Sequence, residues 1–236
     1  MKLFALTAAL SLSLPLVAHA EPSATGHISN FRYEVIDLDL TDGIDAALTL
    51  DNLGIALTAG YFPDLNGLPD PIDYLDHDGT VSIAVPAGSA SATLTGHTAS
   101  ATATLTGTQG ETFAQMISGH NFTLTANTRL VLYADAQATS SYDATRHGYS
   151  HASAFISYVP DDGGEEVLLE DTIFSGLGNT QGRALSVGFD TGATGVTGVY
   201  GFTTGAYVTA VPEPSGYAML GLGLIGIGWR NRRKAN

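Results

Sequence analysis

The chain of 236 residues contains no cysteine. Disulfide cross-links, thiol nucleophiles and metal sites of the cysteine type are therefore excluded. A lipid anchor attached to an N-terminal cysteine is excluded for the same reason. The free energy of folding must come from a buried core, and a chain of this length is long enough to form one.

Tryptophan is almost as scarce, since the only one is Trp229, close to the C-terminus. Clefts that process sugars usually stack the sugar ring on an aromatic face. The lack of tryptophan elsewhere therefore weighs against both a glycosidase and a carbohydrate-binding module. Tyrosines can replace tryptophan in this role, although tyrosines in strands more often serve packing. The candidates are Tyr133, Tyr142, Tyr149 and Tyr158.

The N-terminus has the three parts of a signal peptide. Lys2 supplies the positive charge, residues 3–17 form an apolar stretch, and Ala18-His19-Ala20 matches an A-x-A cleavage site. We therefore expect a signal peptidase to remove residues 1–20, with Ala18 and Ala20 specifying the cut.

The C-terminus also has three parts in a fixed order. Pro212-Glu213-Pro214 comes first, an apolar stretch follows over residues 217–229, and a basic tail closes the chain. The basic residues are Arg230, Arg232, Arg233 and Lys234. This order resembles the PEP-CTERM sorting signal, which exosortases recognise in Gram-negative bacteria. The resemblance implies processing by an exosortase, delivery to the cell surface or extracellular matrix, and association with exopolysaccharide or biofilm.

The apolar stretch over residues 217–229 is short for a permanent membrane anchor. Thirteen residues span about 20 Å as a helix, whereas the hydrocarbon core is about 30 Å thick. The basic tail would hold its end in the cytoplasm. We therefore predict a C-terminal helix that associates transiently with the inner membrane before cleavage. An unprocessed tail anchor is the alternative.

Between the two signals the chain is strongly acidic. Residues 21–211 contain four arginines, no lysine and 22 acidic residues, which gives a formal net charge of −18. Nucleic acids and anionic lipids both require a positive surface, so neither is an expected partner. The charge favours solubility, divalent cations or cationic partners.

Short runs of alternating apolar residues predict an all-β fold. Ala152, Ala154, Ile156 and Tyr158 alternate with other residues, and residues 184–190 and 196–211 also favour strands. About ten such runs, separated by turns, predict one β-sandwich or jelly-roll-like domain over residues 21–210. Signal peptide 1–20 and sorting region 211–236 flank it.

Several local features refine this prediction. A change of phase after Val35 indicates a bulge or a new strand. Residues 47–50 and 55–62 flank a predicted hairpin turn, and residues 122–126 and 128–139 form a second predicted pair. Only residues 111–118 have helical spacing, through Phe113, Met116 and Ile117.

One repeat occurs within a segment rich in threonine. The sequence Ala-Thr-Leu-Thr-Gly occupies residues 92–96 and again residues 103–107. We interpret it as two strands that carry threonines on one face. An O-glycosylated tract is the alternative, and it would suit a surface protein.

The densest group of carboxylates is Asp70, Asp73, Asp76 and Asp78. Carboxylate oxygens are the ligands that Ca²⁺ prefers, and Gly79 permits a sharp turn. The EF-hand pattern is not satisfied, and Pro69 and Pro71 favour an ordinary solvated turn over a calcium site. Asp161, Asp162, Glu165 and Glu166 form a second acidic loop.

Motifs for catalysis are weak or absent. His147 and His151 have the spacing of helical metal ligands, but Gly148 and the β-rich context argue against a zinc site. Ser186 lies in a sequence that only approaches the G-x-S-x-G motif. We therefore expect no enzyme and no obligate cofactor, but a surface protein with a structural or interaction role. Polysaccharide binding assisted by Ca²⁺ is the first alternative, and a secreted glycan hydrolase is the second.

Overall fold

Buried and exposed side chains alternate along nearly every segment of the structure, a computed structural model that describes residues 21–64, 67–160 and 164–211. These segments contain twelve strands and no helix. The strands are β1 (Ser23–Asp37), β2 (Leu48–Phe62), β3 (Ile72–Leu75), β4 (Gly79–Val85), β5 (Gly88–Thr95), β6 (Thr98–Leu105), β7 (Glu111–Leu124), β8 (Thr128–Ser140), β9 (Arg146–Tyr158), β10 (Val167–Gly176), β11 (Thr180–Asp190) and β12 (Val196–Ala210).

The strands form two six-stranded sheets. Sheet 1 has the order β11-β8-β1-β6-β5-β4, and sheet 2 has the order β10-β9-β12-β7-β2-β3. Every neighbouring pair is antiparallel. The inner faces of the two sheets pack against each other, and the predicted β-sandwich is confirmed.

Side-chain size in the core rises from one end of the sandwich to the other. At one end the inner face of β8 carries Ala134, Ala136 and Ala138, and all three are buried. At the other end the same face carries Leu130 and Leu132. Small side chains allow the sheets to approach, whereas large ones hold them apart.

Gly26 lies at a point where the two sheets approach closely. A Cβ atom at this position would lie 2.2 Å from Oγ1 of Thr204 and 2.5 Å from the backbone oxygen of His151. Both residues belong to sheet 2, whereas Gly26 belongs to β1 of sheet 1. At this point backbone packs directly against the opposite sheet.

β1 contains a bulge, but it lies earlier than the sequence indicates. The register against β8 shifts between Ser29 and Arg32, and Asn30 has a φ of 55°. The predicted shift after Val35 is wrong, because β1 continues in register to Asp37 and ends there.

The hairpin predicted between residues 50 and 55 is also wrong. Residues 48–62 form one strand, β2, whose register against β7 shifts between Asp51 and Leu53. The extra residue forms a β-bulge within the strand, so the chain continues in the same direction instead of turning back.

The helical spacing in residues 111–118 does not produce a helix. This segment opens β7, which pairs with β2 on one side and β12 on the other. Thr112, Ala114 and Met116 face the core with a period of two, but Thr112 and Ala114 are small, and the large outward residues Phe113 and Ile117 conceal the period. Pairing on both sides outweighs the local pattern.

The pair predicted from residues 122–126 and 128–139 does not form either. The first segment ends β7 in sheet 2, and the second is β8 in sheet 1. The connection at Asn127, with a φ of 49°, crosses between the sheets.

The remaining strand predictions are confirmed. The alternating residues 152–158 lie in β9, and residues 184–190 and 196–210 lie in β11 and β12. The two copies of the repeated sequence begin in β5 and β6 and extend past the end of each strand, and these two strands pair with their serine and threonine side chains on the outer face. Residues 1–20, Asp161, Asp162, and the residues from Pro212 onward lie outside the described residues.

Candidate functional site: an aromatic stripe on the outer face of sheet 2

Six aromatic side chains lie next to one another on the outer face of sheet 2. They come from five different strands, and we call them the aromatic stripe. Its members are Phe62, Phe113, Tyr149, His151, Phe174 and Tyr207. Phe174 and Tyr149 remain 52% and 41% exposed, and the other members are partly exposed.

Strand register explains why these residues meet. Phe113 of β7 pairs with Tyr207 of β12, which pairs in turn with Tyr149 of β9. In the adjacent row, His151 of β9 pairs with Phe174 of β10. Residues at paired positions of neighbouring strands point to the same face of the sheet. Strand pairing therefore brings residues that are far apart in the sequence together.

The ring geometry is continuous across the stripe. The centroids of Phe62 and Phe113 lie 5.1 Å apart, those of Phe113 and Tyr207 lie 6.5 Å apart, and those of Tyr207 and Tyr149 lie 5.5 Å apart. Tyr149 then stacks on Phe174 at 6.1 Å. Interplanar angles between 14° and 34° keep these rings close to a common orientation.

Two glycines let the rings lie close to the sheet. A Cβ atom on Gly60 would lie 2.5 Å from the ring of Phe113, and one on Gly205 would lie 2.4 Å from the ring of His151. Each ring therefore covers the backbone of a glycine on the neighbouring strand. The absence of a side chain at these two positions flattens the stripe.

The stripe carries little charge at neutral pH. Burial lowers the pKa of His151, and the nearby carboxylate of Glu170 raises it less, so the imidazole is neutral. Burial also raises the pKa values of Tyr149 and Tyr207, which keeps both phenols protonated. Chemically, this surface offers flat apolar rings with phenol hydroxyls and an imidazole as polar groups.

Only one of the four tyrosines named from the sequence belongs to the stripe, namely Tyr149. Tyr133 lies on the outer face of sheet 1 beneath the guanidinium of Arg32, 5.0 Å from its ring centroid. Tyr142 contacts His147 edge to face, and Tyr158 stacks on Phe189 at 4.4 Å. Phe62, Phe113, Phe174 and Tyr207 were missed, because only strand register brings them together.

The two histidines with metal-ligand spacing contact aromatic rings. His147 packs against Tyr142, and His151 stacks on Tyr207 at 6.2 Å with an angle of 17°. Both lie on β9. Two residues four positions apart on an extended strand lie further from each other than they would on a helix, where that spacing is about one turn. Ser186 lies on the edge strand β11, and its backbone nitrogen donates to Asp171.

Three of the four carboxylates of the predicted calcium site make separate contacts, and Asp70 makes its contact through the backbone. Oδ2 of Asp73 accepts from the backbone nitrogen of Ser82 at 3.1 Å, and Oδ2 of Asp78 accepts from that of Gly96 at 2.8 Å. Asp76 contacts the ring of His77, and the nitrogen of Asp70 donates to the backbone oxygen of Tyr61. Across residues 21–64, 67–160 and 164–211, no group of three or more His, Asp or Glu residues is placed to hold a metal ion. Calcium binding here stays a prediction.

The sorting residues Pro212, Glu213 and Pro214 and the basic tail lie beyond the described part of the chain, which ends at Val211. The backbone nitrogen of Ala210 donates to the backbone oxygen of Gly110 at 2.9 Å. The backbone nitrogen of Val211 donates to the backbone oxygen of Thr145 at 2.6 Å. The described segments contain no helix of the length and hydrophobicity needed to cross a bilayer.

Comparison with known proteins gives one informative match. No curated protein matches the chain. A solved structure whose title concerns the promiscuous specificity of carbohydrate-binding modules from the β-sandwich superfamily is 14% identical, and the alignment covers 81% of this chain and 97% of that one. Its TM-score of 0.14 is too low to support any argument. Residues 210–234 match the family described as the PEP-CTERM protein-sorting motif, so the chain carries the sorting motif of an exported protein that an exosortase processes.

Proposed function

We propose that this chain is a non-catalytic surface or extracellular-matrix protein of a Gram-negative bacterium, and that its β-sandwich attaches to exopolysaccharide such as that of a biofilm. The observation that carries the proposal is the position of the sorting motif. The matched region begins at Ala210, which is also the last residue of β12. The sandwich and the sorting motif are therefore joined without a linker.

This junction favours a protein that is first held at the membrane and is then released outside the cell. The apolar residues 217–229 begin six positions after Val211. While they remain in the inner membrane, the sandwich is held at the outer side of that membrane. Cleavage near the sorting motif then releases a folded domain with both signals removed.

The aromatic stripe supports the polysaccharide part of the proposal. The C–H groups on the face of a sugar ring are apolar and slightly positive, so they pack well on the negative face of an aromatic ring. Five strands at about 4.8 Å spacing give the stripe a length of about 20 Å, enough for several sugar rings in a row. The acidic domain favours a neutral polysaccharide over an anionic one.

The internal use of the arginines supports the same preference. Arg129, Arg146 and Arg183 pair with aspartates, and Arg32 lies over Tyr133. Every cation of residues 21–211 therefore already has a partner within the domain. An anionic polymer would meet only one arginine, Arg32, that has no carboxylate partner.

The sorting part is tested by the intact mass of the protein from its native host, with and without the exosortase gene. We expect a species that begins at Glu21 and ends near Pro212, and we expect it only when the enzyme is present. Added hexose mass on that species would identify a glycosylated matrix component. A tail that persists to Asn236 in both strains would show a plain membrane anchor and would overturn the sorting part.

The binding part is tested by affinity electrophoresis in gels that contain neutral or anionic polysaccharides. Phe174→Ala removes an exposed ring from the stripe, and Leu168→Ala removes an exposed side chain from the same face of the same strand. We expect neutral polysaccharide to retard the unmodified protein and the Leu168→Ala variant, but not the Phe174→Ala variant. Equal mobility of the two variants would exclude the stripe as the binding surface.

A further inference from the structure

A cavity of about 490 Å³ lies between the two sheets at the end of the sandwich where the core side chains are large. It exists because β1 extends further than its neighbour β6. The pairing of β1 with β6 ends at Ile28 and Ala99, whereas the pairing with β8 continues to Asp37. Beyond the bulge, one side of β1 therefore has no neighbouring strand, and the interior is open there.

Tyr33 identifies the mouth of this cavity. It pairs with the buried Leu132, so its side chain is on the inner face of sheet 1, yet it is 47% exposed. An inward-facing side chain is exposed to this extent only where the sandwich is open. The volume is in the range of cavities that hold small molecules in other proteins.

Aromatic rings line the interior of the cavity. The centroids of Phe31 and Phe202 lie 4.6 Å apart, and Tyr200 lies 5.9 Å from Tyr33 and 5.6 Å from His120. These rings come from both sheets and contact one another, so a ligand that enters would pack against one continuous aromatic cluster. Their arrangement favours a flat ligand with apolar faces.

The hydroxyl of Tyr200 makes no hydrogen bond within the described residues. The residue is only 2% exposed, but its hydroxyl oxygen is not among the fully buried side-chain atoms that lack a partner, so it is accessible from the cavity. Burial raises the pKa of Tyr200 to about 12, with a smaller contribution from Tyr33, so the group is a neutral donor and acceptor. A ligand that displaces water from this hydroxyl loses affinity unless it replaces the hydrogen bond that the water made.

The polar side chains around the mouth of the cavity are either uncharged or already in contact with other residues of the domain. Burial lowers the pKa of His120, and the neighbouring His97 lowers it further, so His120 is neutral at pH 7. Asp78 accepts a hydrogen bond from the backbone nitrogen of Gly96. Arg32 also lines the cavity, so the two opposite charges offset each other and favour a neutral ligand.

We propose that this cavity binds a single neutral sugar ring, with one face against the aromatic cluster of Phe31, Tyr200 and Phe202 and one of its hydroxyls on the Tyr200 hydroxyl. An aliphatic ligand would fill the volume but would leave that hydroxyl unpaired. The inference goes beyond the proposed function, because the cavity opens between the sheets and the aromatic stripe lies on the outer face of sheet 2.

The test uses the full chain in a detergent without a sugar headgroup. Saturation-transfer NMR and calorimetric titration are performed with glucose, galactose and N-acetylglucosamine as probes. Tyr200→Phe removes one oxygen atom from the cavity, and Tyr207→Phe makes the same change in the stripe. We expect at least one probe to bind, Tyr200→Phe to weaken it by about tenfold, and Tyr207→Phe to leave its Kd unchanged.

Thermal unfolding without sugar provides a second readout. Because the Tyr200 hydroxyl has no internal partner, Tyr200→Phe should keep or raise the Tm. Binding of none of the three sugars, equal Kd values for the two variants, or a fall in the Tm of Tyr200→Phe would overturn the inference. Since Phe174→Ala tests the stripe separately, failure of one site is distinguishable from failure of the other.

Discussion

The guanidinium of Arg146 binds the carboxylate of Asp143, with Nη2 and Nε lying 2.5 Å and 3.0 Å from Oδ2. Its third nitrogen, Nη1, donates to the backbone oxygens of Leu105 and Thr106, each at 2.8 Å. The side chains of Arg146 and Asp143 are only 17% and 7% exposed. This pair therefore ties the connection between β8 and β9 to the end of β6.

We predict that Arg146→Met destabilises the domain by about 3 kcal/mol, because it leaves a largely buried carboxylate and two carbonyl oxygens without their donor. Arg129→Met is the matched control, since Arg129 pairs with Asp190 in a bridge in which both side chains are 46% exposed. Solvent screens such a bridge, so its loss should have little effect. Urea unfolding measures both variants, and equal losses of stability would contradict the predicted role of Arg146.

Acid should weaken the same contact. Burial raises the pKa of Asp143, but hydrogen bonds from Arg146 and Thr145 outweigh it and lower the pKa to about 2. Because the pKa in the folded protein is below the unfolded value, the stabilisation is complete above about pH 4 and is lost as the pH falls towards 2. The shift corresponds to about 2 kcal/mol. Unfolding measured from pH 5 to pH 2 should show a shallower pH dependence for Asp143→Asn than for the unmodified protein, and parallel curves would refute this.

Gly26→Ala should destabilise the domain by about 1–3 kcal/mol, because the new methyl group would overlap Thr204 and the backbone of sheet 2. Gly192→Ala is the control, since a Cβ atom there meets nothing within 4 Å. That change should be neutral or slightly stabilising. Thermal unfolding distinguishes the two variants, and similar Tm values would show that the two sheets can move apart at Gly26 without loss of stability.

Calcium should not raise the Tm through residues 70–78. Asp73 and Asp78 accept bonds from different backbone nitrogens, and Asp76 contacts His77, so their carboxylates do not converge. Thermal unfolding with Ca²⁺, compared with Mg²⁺, checks this expectation. A rise specific to Ca²⁺ that disappears in an Asp76→Asn, Asp78→Asn variant would show that calcium gathers the carboxylates and would revive the calcium-assisted alternative.

Local alternation predicted the strands that use large apolar residues on their inner face. Residues 152–158 of β9 are such a case, because Ile156 and the neighbouring alanines keep a period of two. β7 was misread because Thr112 and Ala114 are inner residues of small size, whereas Phe113 and Ile117 point outward. The outer face of sheet 2 is aromatic, so size and hydrophobicity alone do not distinguish the two faces.

The candidate sites were less accessible to sequence reasoning than the fold. Tyr149 was named as a possible sugar contact, but its partners Phe113 and Tyr207 lie 36 and 58 positions away along the chain. The cavity at Tyr200 depends on the bulge at Asn30 and on where β6 ends. Both are consequences of register between strands, which a single sequence does not contain.

The location of β12 also affects the order in which this protein can fold. β12 pairs with β7 on one side and β9 on the other, yet it is the last of the described strands. In the export that we propose, β7 and β9 leave the membrane before β12, and each keeps one edge unpaired until β12 follows. Sheet 2 then closes only as the sorting motif itself reaches the membrane, so protease resistance should be acquired late in translocation.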